Sequence, residues 1–280
     1  MIDLSPELAS RFEGDGAYDA IANLGGELIH AHKNRKTFRV QLGDRRYFIK
    51  YHGTTAWREI LKNWFRFRLP VLTAKTEVDA ITELERLNIR TVKAAGLGVR
   101  GVAPAGLTSF IITEALEDFV HLSDVAETWE SLPTRDRYRL RRTAAQEIAT
   151  VGRVMHAHHL NHRDFYLCHF MLADRDWDAA SDQPLELHVI DLHRKQKRMY
   201  MPSRWAVKDL ASTFHSALDQ PMTTGDVIRF MQWYFEVPVR QWTASQKRFA
   251  KRVMRRTIWL YERVHKKPPP FPKRIAGLVT

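Results

Sequence analysis

The chain has 280 residues, 44% apolar and 27% charged, enough for one large domain or two lobes sharing a cleft. It carries no run of about 18 apolar residues and so no spanning helix, and its single cysteine, Cys168, excludes an internal disulfide framework. Lys+Arg number 44 against 32 Asp+Glu; the resulting +12 favours anionic partners (nucleic acid, anionic lipid, phosphorylated glycan or an acidic protein) or is simply a solvated basic surface.

The opening "MIDLSPELASRFEGDG" lacks the basic start and apolar stretch of a secretory signal, which with the lone thiol points to the cytoplasm. Residues 27–52 predict three strands: "TFRVQL" and "RYFIKY" are rich in β-branched and aromatic residues, and "GD" punctuates the hairpin between them. Residues 54–68 switch to helical spacing, with Trp57, Ile60, Leu61, Trp64 and Phe65 on one face and Arg58, Lys62, Arg66 and Arg68 elsewhere. That pattern fits a membrane-surface helix or a helix packed on its own lobe with a solvated basic side. Residues 75–87 predict a second helix, and "SFIITE" (109–114) a short apolar strand.

A long helix is expected over 137–160, with Leu140, Ala144, Ile148, Val151 and Met155 inward. It runs into His162-Arg163-Asp164. Residues 167–172 and 185–191 follow as a strand pair, and the chain from 205 onward reads as mostly helical, ending in a basic helix over 245–265 and the tail "KKPPPFPKR". The order gives an α+β fold: a small β-rich lobe over 1–115 and a larger, mostly helical one over 116–280.

Phosphoryl transfer needs a Lys on the nucleotide phosphates, an acid to fix it, a positioner or base for the attacking hydroxyl, and a carboxylate on the metal. Lys50 at a strand end, Glu77 on the next helix, Asp164 after the long helix and Asp191 at a later strand end supply these in order. Each alone is an ordinary surface or turn residue; together they suit one architecture. Six histidines (156, 158, 159, 162, 169 and 193) match no common zinc spacing. His162 suits a structural role holding the loop, and nothing argues for a reactive Cys168.

The stretches "RRYFIKYHGTT", "LPVLTAKTEVDAI", "TSFIITEAL", "LNHRDFYLCHFML", "HVIDLHRKQKR" and "RWAVKDL" resemble the lipopolysaccharide kinase family over most of residues 28–235, nearest its heptose I branch in Gram-negative bacteria. The resemblance implies a protein-kinase-like bilobal fold and transfer of the ATP γ-phosphate to a heptose hydroxyl of the inner core. Kdo kinases, the second heptose kinase and a nucleotide-binding scaffold without turnover are the alternatives. Carried over, Lys50 holds the phosphates, Glu77 pairs with it, Asp164 acts on the hydroxyl with His162 and Arg163 supporting, and Asp191 chelates Mg2+. Glu114 and Leu116 fall where the hinge meets adenine.

The loop near "HKNRK" has no glycines, and Arg35 and Lys36 are candidates for charge there. His169 stands where kinases place a metal-binding Asn. Two roles stay open for it: a hydrogen-bond donor to phosphate or to Asp164, or a weak metal ligand. Arg58, Lys62, Arg66, Arg194 and Arg198 are candidates to face the acceptor or a membrane. The expected partners are the lipid A-linked core as acceptor, the inner membrane as a peripheral contact and an acidic protein. No recognition-helix or stacking-strand motif supports nucleic acid.

Overall fold

The alternation over residues 27–52 forms three antiparallel strands, β2 (Glu27–His32), β3 (Arg35–Leu42) and β4 (Arg45–His52). They belong to a six-stranded antiparallel sheet ordered β1-β5-β6-β4-β3-β2, with β1 at Ile2–Leu4, β5 at Ala94–Arg100 and β6 at Thr108–Glu114. The computed structural model describes residues 1–32, 34–58, 73–174, 185–218 and 223–269. Of the helix expected over 54–68, residues 59–68 lie outside these, as do residues 270–280 of the expected tail.

Period-two alternation gives the sheet two different faces. Val40, Tyr47, Ile49, Phe110 and Ile112 form a buried cluster with Leu8, Tyr18 and Ile21, which lie on or beside α1 (Pro6–Ala9) and α2 (Ala17–Ala22). The opposite face carries Lys50, paired across the ladders with Thr37 and Ile111. Helix α3 (Lys75–Arg86) lies on that side, burying Ile81 and Leu84. Strands β1 and β5 are absent from the sequence reading. "AAGLGVR" has little strand propensity, but Gly98 lies against the Phe110 ring, where a Cβ would come within 2.3 Å.

The remaining elements are β7 (Phe119–His121), α4 (Leu122–Thr128), α5 (Thr134–Ala157), β8 (Leu160–Asn161), β9 (Phe170–Ala173), β10 (His188–Val189), β11 (Gln196–Lys197), α6 (Ser203–Ser216), α7 (Thr224–Phe235) and α8 (Ala244–His265). Helix α5 begins three residues earlier than expected and buries Leu140, Ala144, Ile148, Val151 and Met155, as its spacing predicts. The expected strand pair exists but is short: Leu167–His169 is a 3-10 turn, and Asp191 takes a left-handed backbone with φ 60°. Helix α6 is the central helix, burying Ala206, Val207, Leu210, Ala211 and Phe214. Capping boxes at Thr223 and Thr243 start α7 and α8.

The chain divides into a strand-rich unit, Met1–Arg86 with Thr91–Glu117, and a mostly helical one, Leu87–Arg90 with Asp118–Thr280. This is the α+β order that the sequence predicts. Among the described residues, no helix is long and apolar enough to cross a membrane.

Candidate active site

In the strand-rich unit, Lys50 Nζ lies 2.5 Å from Glu77 Oε1. Glu77 is only 3% exposed, and its Oε2 has no hydrogen-bond partner among the described residues. It sits in the first turn of α3, where the helix dipole favours an anion. The start of α3 is tied to the sheet, since the Ala74 N–H donates to Ser109 Oγ of β6 at 2.9 Å. Glu114 ends β6 with its carboxylate 3.4 Å from Arg45 Nη1, and half-buried Leu116 follows it. Arg35 shares the face of Lys50. Lys36 stands opposite Tyr51 and so points to the other face, because a strand alternates sides at each residue.

In the helical unit, the loop after β8 is suspended from one buried carboxylate. Asp209 of α6, 1% exposed, accepts the His162 N–H at 2.7 Å on one oxygen and the Arg163 N–H at 2.9 Å on the other. Arg163 has φ 77°, a strained conformation for a side chain of its size, and the Asp209 hydrogen bond holds it there. Behind Asp209, the His156 ring reaches it through Nε2 at 3.3 Å and meets the Tyr234 hydroxyl through Nδ1 at 2.9 Å. Burial, together with the Asp209 charge, pushes the Tyr234 hydroxyl pKa far up, so it stays a donor.

His162 is fully buried, and its Nε2–H donates to the Ile190 carbonyl at 3.0 Å, joining the loop to the segment before Asp191. Burial lowers its pKa despite the nearby Asp209, so the ring stays neutral. Phe165 anchors the other side of the loop, edge-on to Phe170.

His169 joins the Asp164 backbone to the Asp191 carboxylate. Its Nδ1–H donates to the Asp164 carbonyl at 2.6 Å, and its Nε2 lies 3.4 Å from Asp191 Oδ2. Burial disfavours its charged form, but hydrogen bonds to the Cys168 side chain and Asp164 carbonyl, with the Asp191 charge, outweigh this and raise its pKa to about 9. His193 Nδ1 takes the other oxygen of Asp191. Sequence spacing thus finds members of two groups: Lys50 with Glu77, and Asp164 with His162, His169 and Asp191. Among the described residues, no cluster of three or more His, Cys, Asp or Glu is gathered for a metal.

The family model described as "Lipopolysaccharide kinase (Kdo/WaaP) family" matches residues 19–234. The chain belongs to the lipopolysaccharide kinase family. Among its relatives, the lipopolysaccharide core heptose(I) kinase WaaP of Escherichia coli K12 is 37% identical over 241 residues, 86% of this chain and 89% of the relative. The enzyme of the same name from Pseudomonas aeruginosa is 37% identical over 252 residues, 90% of this chain and 92% of the relative. A solved structure titled WaaP in complex with acyl carrier protein matches with a TM-score of 0.76 and 32% identity, over 94% of this chain and 100% of that one. The fold is therefore the kinase-like bilobal α+β fold of this lipopolysaccharide kinase, and the chain is an ATP-using sugar kinase of that family.

The sequence reading of this lipopolysaccharide kinase missed Asp209. It lies within the quoted "RWAVKDL", but a carboxylate in a helical run carries no sign that it will be buried under a distant loop. Arg58 is exposed at the edge of the described region, Lys62 and Arg66 lie outside it, and of Arg194 only the backbone is described, in the turn Leu192–Arg194. Arg198 is half-buried, its Nε 3.3 Å from Asn161 Oδ1, just before the His162-Arg163-Asp164 triplet.

Proposed function

We propose that the protein transfers the γ-phosphate of ATP to a heptose hydroxyl of the lipopolysaccharide inner core. The observation that supports this reading is the bridge His169 makes from the Asp164 backbone carbonyl to the Asp191 carboxylate, which ties the loop that carries Asp164 to the metal-facing group. Lys50, held by Glu77, neutralises nucleotide phosphates, and backbone groups from Glu114 to Leu116 receive adenine. Asp164 orients the sugar hydroxyl and takes its proton, and Arg163 and His162 keep the loop in register.

Magnesium suits this donor set. It is commonly held by one or two carboxylates completed by substrate phosphates and water, and Asp191, with His169 and His193 beside it, offers such a carboxylate. Bound there, it would shield the phosphate charge. His169 fits the donor role better than that of a ligand: Nδ1 is spent on the Asp164 carbonyl, and Nε2 faces a carboxylate that has no proton to give, which favours N–H on both nitrogens. A ring so protonated donates to phosphate oxygen and does not bind metal.

The reaction's lipid-linked acceptor implies work at the cytoplasmic face of the inner membrane. The +12 charge supports an anionic acceptor and, as a further partner, a carrier protein. A mostly apolar cavity of about 120 Å³ in the helical unit, lined by Leu122, Trp129, Ile148 and Phe230 with Arg141 and Arg229, supports a partner that presents an acyl chain. The test is phosphate mapping by NMR on core glycan incubated with ATP, Mg2+ and enzyme. New phosphate on a heptose, lost in Asp191→Ala, is expected; ATP binding without any transfer by the parent enzyme would reduce the protein to a binding scaffold.

A further inference from the structure

We infer that Trp205, Arg198, Arg204 and Lys208 form a subsite for an acidic sugar of the acceptor, one that bears a carboxylate or phosphate beside the heptose to be modified. The identity of the ligand rests on the lipopolysaccharide kinase reading above. Three cations surround one indole: Arg198 Cζ lies 4.4 Å from the ring centroid, Arg204 Cζ 5.5 Å and Lys208 Nζ 6.0 Å. Arg198 and Arg204 have no carboxylate partner among the described residues. The side-chain partners of Arg198 are two neutral amides, Asn161 and Gln196. Burial, and then the like charge of Arg204, lower the Arg198 pKa.

An indole with guanidinium groups beside it suits a sugar that is also an anion. The ring takes the apolar face of a pyranose, and planar guanidinium groups grip carboxylate or phosphate oxygens in pairs. Helix α6 begins here after Pro202 with no side-chain cap, and Arg252 of α8 donates to Ser203 Oγ at 2.8 Å, adding a fourth cation at its first residue.

The cluster is rigidly related to the catalytic loop. Trp205, Lys208 and Asp209 lie within about one turn of α6, and Asp209 holds the backbone of His162 and Arg163. From the other side, the Arg198 N–H donates to the His159 carbonyl at 3.1 Å, and β11 pairs with β8, placing Gln196 opposite Asn161. An acidic sugar held on Trp205 is thereby fixed with respect to Asp164. This gives Arg198, the last residue of "HRKQKR", a task in orienting the acceptor that a diffuse basic surface would not perform.

The test is titration calorimetry of the full chain with delipidated core oligosaccharide, for the parent and for Arg204→Gln/Lys208→Gln, which leaves the loop-holding Arg198 in place. Each glycan is used as isolated and after carboxyl reduction and dephosphorylation. The double variant is expected to bind the acidic glycan at least about tenfold more weakly, since a hydrogen bond to a charged group is worth roughly one such factor. The neutralised glycan should bind parent and variant alike. Arg198→Lys should weaken the acidic glycan less than the double variant does, because the charge remains.

Equal affinity of parent and variant for the acidic glycan overturns the subsite, as does an equal loss on the neutralised glycan. A defect seen only on vesicles of anionic phospholipid, with glycan binding intact, overturns it in favour of a membrane contact. Binding is read without turnover, so a parent that binds glycan but transfers no phosphate would sink the proposed reaction and leave the subsite standing.

Discussion

At the scale of single residues, burial decides what each side chain can do. In the Lys50–Glu77 pair, Glu77 is 3% exposed and Lys50 28%, so the two are not equivalent. Lys50→Met strands a buried carboxylate, and breaking a buried pair this way costs about 3–5 kcal/mol. Glu77→Gln leaves a cation that can still reach water and should cost clearly less; urea unfolding of the two variants checks the order. Asp164 is positioned by its loop rather than buried for packing. Asp164→Asn should therefore keep the fold and lower kcat by roughly 10²–10⁴, the usual worth of a placed acid–base group, with little change in the KM for ATP. Steady-state kinetics with the core acceptor reads both, and a loss under about tenfold would mark Asp164 as structural.

At the scale of elements, the strand-rich unit depends on a close approach that side-chain propensities conceal. Gly98 of β5 lies against Phe110, at the centre of the apolar cluster under α1 and α2. A methyl group there would overlap the ring, so Gly98→Ala is expected to destabilise by about 1–3 kcal/mol, the range for overpacked cores. Phe110→Leu, which clears space, should recover part of that loss in the double variant, and thermal melts of the three proteins would show it. This approach explains why β5 was missed: glycine argues against a strand, yet here the neighbouring aromatic ring requires it. Strands β3 and β4 and helices α3 and α5 were legible because their apolar residues recur at the spacing of a single face.

For the whole molecule, two histidines of the candidate site, His162 and His169, give stability opposite dependences on pH. His162 is buried neutral with a lowered pKa, so the unfolded chain binds more protons than the native one below about pH 6.5, and stability falls there on acidification. His169 has a raised pKa, to about 9; its contribution is complete below about pH 6.5 and is lost progressively as pH rises from there through about 9. Urea midpoints should therefore be highest near pH 6.5 and decline on both sides. His169→Asn should flatten the alkaline limb and leave the acid one.

The sequence by itself determined the α+β order and the family, and it proposed Lys50, Glu77, Asp164 and Asp191 as site residues, since each is announced by local periodicity or by a short motif. Only the tertiary structure decided that Lys36 turns away from Lys50, that His169 links Asp164 to Asp191, and that Asp209 carries the loop from 46 and 47 residues further along the chain. Sheet register, ring orientation and the burial of a lone carboxylate depend on what packs against a residue from distant parts of the chain, and no local pattern encodes that partner.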